Sequence, residues 1–137
     1  MEESYSGAER RRTKRVRVSL SVIYRVNEPL TVRLLTADRE IKATILDLSE
    51  QGMAIVSDYD IPKLSVVMMR FTLFKVDKED VSFYGPVEIA GEVRYNQKDG
   101  DEYRLGIHFT KIDPEDKREI ANFANTAIKL LDREHRQ

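Results

Sequence analysis

From Val16 to Val26 the chain reads V-R-V-S-L-S-V-I-Y-R-V, with apolar and polar residues alternating before the turn residues Asn27-Glu28-Pro29. Alternation puts successive side chains on opposite faces of an extended backbone, so this run predicts a half-buried strand. Leu30 to Leu35 reads as the next strand, Ala37-Asp38-Arg39-Glu40 as a turn, and Ile41 to Leu46 as a further strand. Met53 to Ser57 is a short one, closed by Asp58-Tyr59-Asp60 and Pro62. Leu64 to Val76, Val87 to Tyr95 and Tyr103 to Phe109 follow, punctuated by Gly85-Pro86 and Lys98-Asp99-Gly100-Asp101. Roughly six or seven strands with short connections favour an antiparallel barrel over alternating strands and helices.

The period then changes. Asp113-Pro114-Glu115 supplies a capping side chain, a proline at the first helical position and an acidic first turn, which predicts a helix over about 114–133. Ile120, Phe123, Ala124, Ala127, Ile128, Leu130 and Leu131 recur at helical spacing and form one apolar stripe to lay against the barrel. Asp132 to Gln137 is polar and expected to fray. The chain contains no internal repeat or low-complexity segment.

At 137 residues and 41% hydrophobic content, one domain with one core is expected. Absence of cysteine removes disulfides, thiolate nucleophiles and thiolate metal sites, and makes a reducing cytoplasm the default. Neither a signal-peptide pattern nor an apolar run long enough for a bilayer is present, so a soluble cytoplasmic protein without membrane insertion is expected.

Net charge is only −1, but Arg10, Arg11, Arg12, Lys14, Arg15 and Arg17 cluster ahead of a body that is mixed and on balance acidic. Such an arm attracts anions, and it also reads as a solvated tail. Two spaced patterns bear on the choice. Arg11-x-x-x-Arg15 lies just before the first strand, and Asp47-x-Ser49-x-x-Gly52 lies in the turn between Ile41–Leu46 and Met53–Ser57.

Arginine presents a planar fork that meets phosphate oxygens, or guanine O6 and N7, in pairs; lysine lacks this geometry. Two arginines four apart on an extended arm reach different groups of one ligand. An ionised Asp47 only accepts, which suits the N1–H and N2 amino donors of guanine and not adenine. Ser49 can donate to phosphate or base, and Gly52 permits positive φ or a close approach. The plain reading of Asp47 and Ser49 is a turn whose side chains satisfy local N–H groups, and Gly52 alone is an ordinary hairpin glycine.

Together and in this order, these motifs resemble the PilZ domain family, bacterial β-barrels that bind cyclic di-GMP through this pair of patterns. The resemblance covers nearly the whole chain, since Gly91-Glu92-Val93-Arg94-Tyr95 and Leu105-Gly106-Ile107-His108-Phe109 are similar to the family's last two strands. It implies a mainly β fold, a six- to seven-stranded antiparallel β-barrel with a C-terminal α-helix packed on it and a flexible basic N-terminal arm. The expected layout is a flexible stretch over 1–9 and a domain over 10–137, with arm 10–17 and barrel about 16–110.

By the same resemblance, Arg10, Arg11, Arg15, Asp47, Ser49 and Gly52 bind cyclic di-GMP. A basic residue at Arg10 implies an intercalated pair of ligand molecules, and Tyr95 is a candidate for base stacking, its alternative being an ordinary half-buried strand tyrosine. The arm is expected to fold over the ligand and the altered surface to act on a separate protein, in motility, exopolysaccharide or transcription. No cofactor beyond the ligand is implied.

An enzyme is not expected. His108 sits in an apolar strand, His135 in the tail, and the carboxylates of Asp77-Lys78-Glu79-Asp80 and Asp99-Gly100-Asp101 are interleaved with turn residues. Neither a Walker loop nor a G-x-S-x-G elbow occurs. Two other functions use the same features: a basic-armed barrel binding RNA or DNA, with Tyr84 or Tyr95 as stacking platforms, and a PilZ-like protein-interaction module that binds no nucleotide. The body lacks the interleaved basic and aromatic pattern of nucleic-acid readers, and the chain keeps every motif position.

Overall fold

The alternating runs become an antiparallel sheet of six strands in the computed structural model, which describes residues 15–77 and 80–135, and their side chains apart from 76, 77 and 127–135. The strands are β1 (Val16–Glu28), β2 (Ile41–Ser49), β3 (Gly52–Ser57), β4 (Val66–Asp77), β5 (Asp80–Asp99) and β6 (Glu102–Lys111). Their order is β1-β2-β3-β6-β5-β4, and β4 pairs back onto β1, so the sheet closes into a ring. Closure removes the unpaired edges within the ring that would invite other strands.

Side chains alternate across it as the sequence pattern requires. Val22, Tyr24 and Val26 of β1, Ile45 and Leu48 of β2, and Leu105 and Ile107 of β6 point into a filled interior, while Arg17, Ser21 and Arg25 stay exposed. Each large buried side chain contributes roughly 1.5–3 kcal/mol, which fixes the register because a one-residue slip would turn the inner face outward.

Two expectations need correction. Leu30–Leu35, read as a strand, is a short helix, α1. β2 takes that side of β1 from Tyr24 back to Val16, so a hairpin strand begun at Leu30 would run into β2 within a few residues. It coils instead, with Arg33 N donating to Pro29 O and Thr36 N to Val32 O, both at 3.0 Å. Thr36 is buried and its hydroxyl donates to the Val32 and Arg33 carbonyls, after which Ala37 and Asp38 turn the chain at φ 58 and 52. The β propensity of Thr31 and Val32 is overridden by this connection.

Gly85-Pro86, read as a break, lies inside β5. The register passes from Phe71↔Val87 to Leu73↔Tyr84, which puts one extra residue on β5, a bulge that accommodates a proline with no N–H to give. Beyond it β4 and β5 continue as a two-stranded hairpin. The tip of that hairpin, Lys78 and Glu79, lies outside the described residues.

The terminal helix, α2 (Pro114–His135), begins where the sequence indicates, with Asp113 Oδ1 accepting from Glu115 N at 2.9 Å. Ile120, Phe123 and Ala124 are buried against the sheet. The hairpin grips the same helix: Tyr84 donates to Asp116 at 2.7 Å, Lys75 pairs with Glu119 at 2.9 Å, and Phe74 meets Phe123 edge-on at 5.1 Å. The side chains of Ala127, Ile128, Leu130 and Leu131 lie outside the described ones.

Candidate functional site

Register across four strands assembles the site. Asp47 of β2 pairs with Ala54 of β3, Ala54 with Gly106 of β6, and Gly106 with Tyr95 of β5. This row lies on the side of the sheet away from the core cluster that holds its neighbours Leu48, Met53, Ile107 and Val93; within it Tyr95 is exposed and Asp47 half-buried, while Ala54 and Gly106 are covered. The two smallest side chains stand in the middle and the two larger ones at the ends. The result is a shallow open groove of about 410 Å³ whose lining includes Arg15, Asp47, Arg94, Tyr95, Arg104 and His108.

Asp47 sits between two arginines. Arg15 donates from Nη1 to Asp47 Oδ1 at 2.5 Å, and Arg104 Nη2 lies 3.6 Å from Oδ2. The Arg104 guanidinium is held further into its charged form by hydrogen bonding toward the Tyr95 hydroxyl, with Asp47 adding to it and burial opposing. The lining thus carries three arginines against one carboxylate, with Glu92 just outside it paired to Arg94 at 2.8 Å. Such a groove attracts an anion, and its guanidinium forks suit phosphate or a purine edge.

The turn between β2 and β3 is tight. Ser49 is buried, its Oγ accepting from Gln51 N at 3.2 Å and donating to Gly52 O at 3.4 Å, so its hydroxyl is engaged by the turn, away from the groove lining. Gly52 permits a close approach of backbone to backbone: a Cβ there would stand 2.4 Å from the Ile107 carbonyl oxygen. Arg10 and Arg11 lie outside the described residues.

Tyr95, expected at a strand end, is mid-strand, since β5 continues to Asp99. One extra residue, Arg94, separates Val93↔Ile107 from Tyr95↔Gly106 and turns Arg94 and Tyr95 outward side by side. Sequence reasoning missed Arg94 and Arg104 and treated His108 as an ordinary strand residue. The available signal was alternation on β6, where buried Leu105, Ile107 and Phe109 leave Arg104, Gly106 and His108 on one outer face. Among the described residues no group of His, Asp or Glu could hold a metal, and no helix is long and apolar enough to cross a membrane.

Comparison with solved structures gives the same fold. The Bacillus subtilis inhibitor of motility, MotI/DgrA, superposes with a TM-score of 0.66 at 16% identity over 89% of this chain; the chain spans about half, 52%, of that protein's length. The PilZ domain of Escherichia coli YcgR with c-di-GMP matches with a TM-score of 0.61 at 12% identity, covering 93% of this chain and 98% of that one. A tetrameric PilZ domain from Xanthomonas campestris matches with a TM-score of 0.55 at 11% identity over 92% of each chain. No curated protein sequence matches. The PilZ domain family profile, in contrast, matches residues 9–125, which contain the whole ring, the groove and the buried part of α2, and the chain therefore belongs to the PilZ domain family.

Proposed function

We propose that this protein is a receptor for cyclic di-GMP, bound in the groove over β2, β3, β6 and β5. One observation carries the reading: an acceptor-only Asp47 between two arginines at one end of a row across four strands, with an aromatic ring at the other. That is the chemistry a phosphate-linked guanine needs, with acceptors for the N1–H and N2 amino edge, guanidinium forks for phosphate, and a ring face for the base. The YcgR PilZ domain, which has the same fold, is described with c-di-GMP.

In this reading Arg11 and Arg15 clamp the ligand, Asp47 reads the base, and Ser49 and Gly52 shape the turn that holds Asp47. Arg10 extends the clamp to a second, intercalated molecule. Arg15 exchanges Asp47 for the ligand on binding, and the changed surface acts on a separate protein; a motility component is one class, given the description of MotI as an inhibitor of motility. The receptor has no catalytic role of its own and works in the cytoplasm.

Calorimetric titration with cyclic di-GMP, cyclic di-AMP and GMP tests this. Saturable heat with cyclic di-GMP alone is expected, at two ligands per chain. No heat with cyclic di-GMP overturns the function, and one ligand per chain overturns the role of Arg10.

A further inference from the structure

A Cβ built on Gly106 would stand 1.9 Å from Tyr95 Cε2, 2.4 Å from Cδ2 and 2.5 Å from Cζ. The distances rise only slightly from Cε2 to its two ring neighbours, as they do above a ring face and not beyond its edge. The Tyr95 ring therefore lies with one face on the Gly106 backbone, and with 41% of the residue exposed it turns its remaining surface to the groove. Any side chain at position 106 would lift the ring off the sheet.

We infer that Gly106 is a positioning residue: by letting the Tyr95 ring lie flat on β6, it fixes a stacking platform across the row from Asp47. This inference rests on the groove being the ligand site. Free of β6, an exposed tyrosine would sample several rotamers, and ordering it on binding would cost affinity. Held down by the glycine, the ring is already in place. The row Asp47-Ala54-Gly106-Tyr95 sets the span between base reader and base stacker by strand spacing, about 4.8 Å per step. Gly106 touches no ligand in this scheme and acts only through Tyr95.

Covering a strand glycine with a cross-strand aromatic also stabilises a sheet by itself. That role would move stability and leave ligand affinity intact, so the two are separable. The test is a double-mutant cycle on the full chain: wild type, Tyr95→Ala, Gly106→Ala and both together, each titrated with cyclic di-GMP. Tyr95→Ala is expected to weaken binding about tenfold, since one stacked base is lost. Gly106→Ala should weaken it about as much, and the double variant no further than Tyr95→Ala. Multiplying effects, or an unchanged affinity in Gly106→Ala, overturn the inference.

A second measurement needs no ligand and covers a Gly106→Ala chain that fails to fold. In the free wild type the Gly106 α protons should be shifted upfield by the ring above them, and return to ordinary positions in Tyr95→Ala. Unshifted α protons overturn the positioning of the ring. If the wild type binds no cyclic di-GMP, the ligand reading and Gly106's part in binding fall together, and the proton shifts still decide whether Gly106 positions Tyr95.

Discussion

Arg15 and Asp47 are 32 positions apart in sequence and 2.5 Å apart in space, so the first charged residue ahead of β1 is tied to the outer face of β2. The pair is partly exposed, and such pairs contribute only about 0–1 kcal/mol to stability. In the proposed receptor its weight is in binding. Arg15→Ala should leave the urea midpoint almost unchanged and lower cyclic di-GMP affinity by about 2 kcal/mol or more, because a charge-assisted contact is lost. Paired denaturation and calorimetry check this, and a variant that is strongly destabilised yet binds normally would contradict it.

Arg104 faces the other oxygen of the same carboxylate. Arg104→Gln should keep the fold, weaken the ligand about tenfold, and flatten the salt dependence of binding, since one cation leaves the groove. Titration at two ionic strengths measures both effects. An undiminished salt dependence would show that Arg104 contributes nothing to the ligand's electrostatics.

Gly52→Ala is the structural counterpart. The new methyl would meet the Ile107 carbonyl, a backbone atom that cannot rotate away. Separation of β3 from β6 at that point should cost about 1–3 kcal/mol, read as a lower urea midpoint at an unchanged slope. Because Gly100 has nothing within 4 Å of its own Cβ position but a φ of +65, Gly100→Ala tests backbone strain alone and should cost less.

Tyr24 supplies a pH signature. Its hydroxyl shares a 2.6 Å buried hydrogen bond with Ser57, and burial pushes its pKa from 10.0 up to about 12. A group raised in the fold stabilises fully below its unfolded pKa and loses that contribution as pH rises through the folded value. Stability should therefore fall between pH 10 and about 12, by up to about 1.4 kcal/mol per pH unit for this one group. Tyr84, raised mainly by its hydrogen bond to Asp116, acts in the same direction. Tyr24→Phe should be less stable at neutral pH by about 1 kcal/mol and show a shallower alkaline decline, measured by urea unfolding at a series of pH values. A decline as steep as that of the wild type would mean that Tyr24 is not its source.

Strand alternation made most of the ring legible before any coordinates, because inward positions such as Val22, Tyr24, Ile45, Leu48, Leu105 and Ile107 must be apolar wherever the sheet closes. The start of α2 was equally plain, since Asp113 and Pro114 perform local chemistry that depends on no distant partner. Leu30–Leu35 misled for the opposite reason. Its residues favour a strand, and only the tertiary fact that β2 takes that side of β1 from Tyr24 back denies it one. Gly85-Pro86 misled because a bulge and a chain break carry the same local residues.

In the groove, Asp47 and Arg15 were visible as motif positions and the structure brings them together. Ser49 and Gly52 were visible too, and both are spent within the turn in the free protein. Arg94 was not visible, since a bulge that one sequence does not display turns it outward; alternation on β6 puts Arg104 on the outer face, but only cross-strand register brings it to Asp47. The small residues between the ends, Ala54 and Gly106, gain their meaning only from that register.

The half of β1 that follows Arg15, Val16–Val22, is paired with β2 alone and shifts register between Arg17 and Leu20, whereas β4 pairs only from Ile23 to Glu28. A ligand that drew Arg15 away from Asp47 would pull on the singly paired half of β1, with the β4-paired half as its anchor. In the proposed receptor, occupancy would then be felt first at the groove end of β1 and fade toward the half that β4 holds.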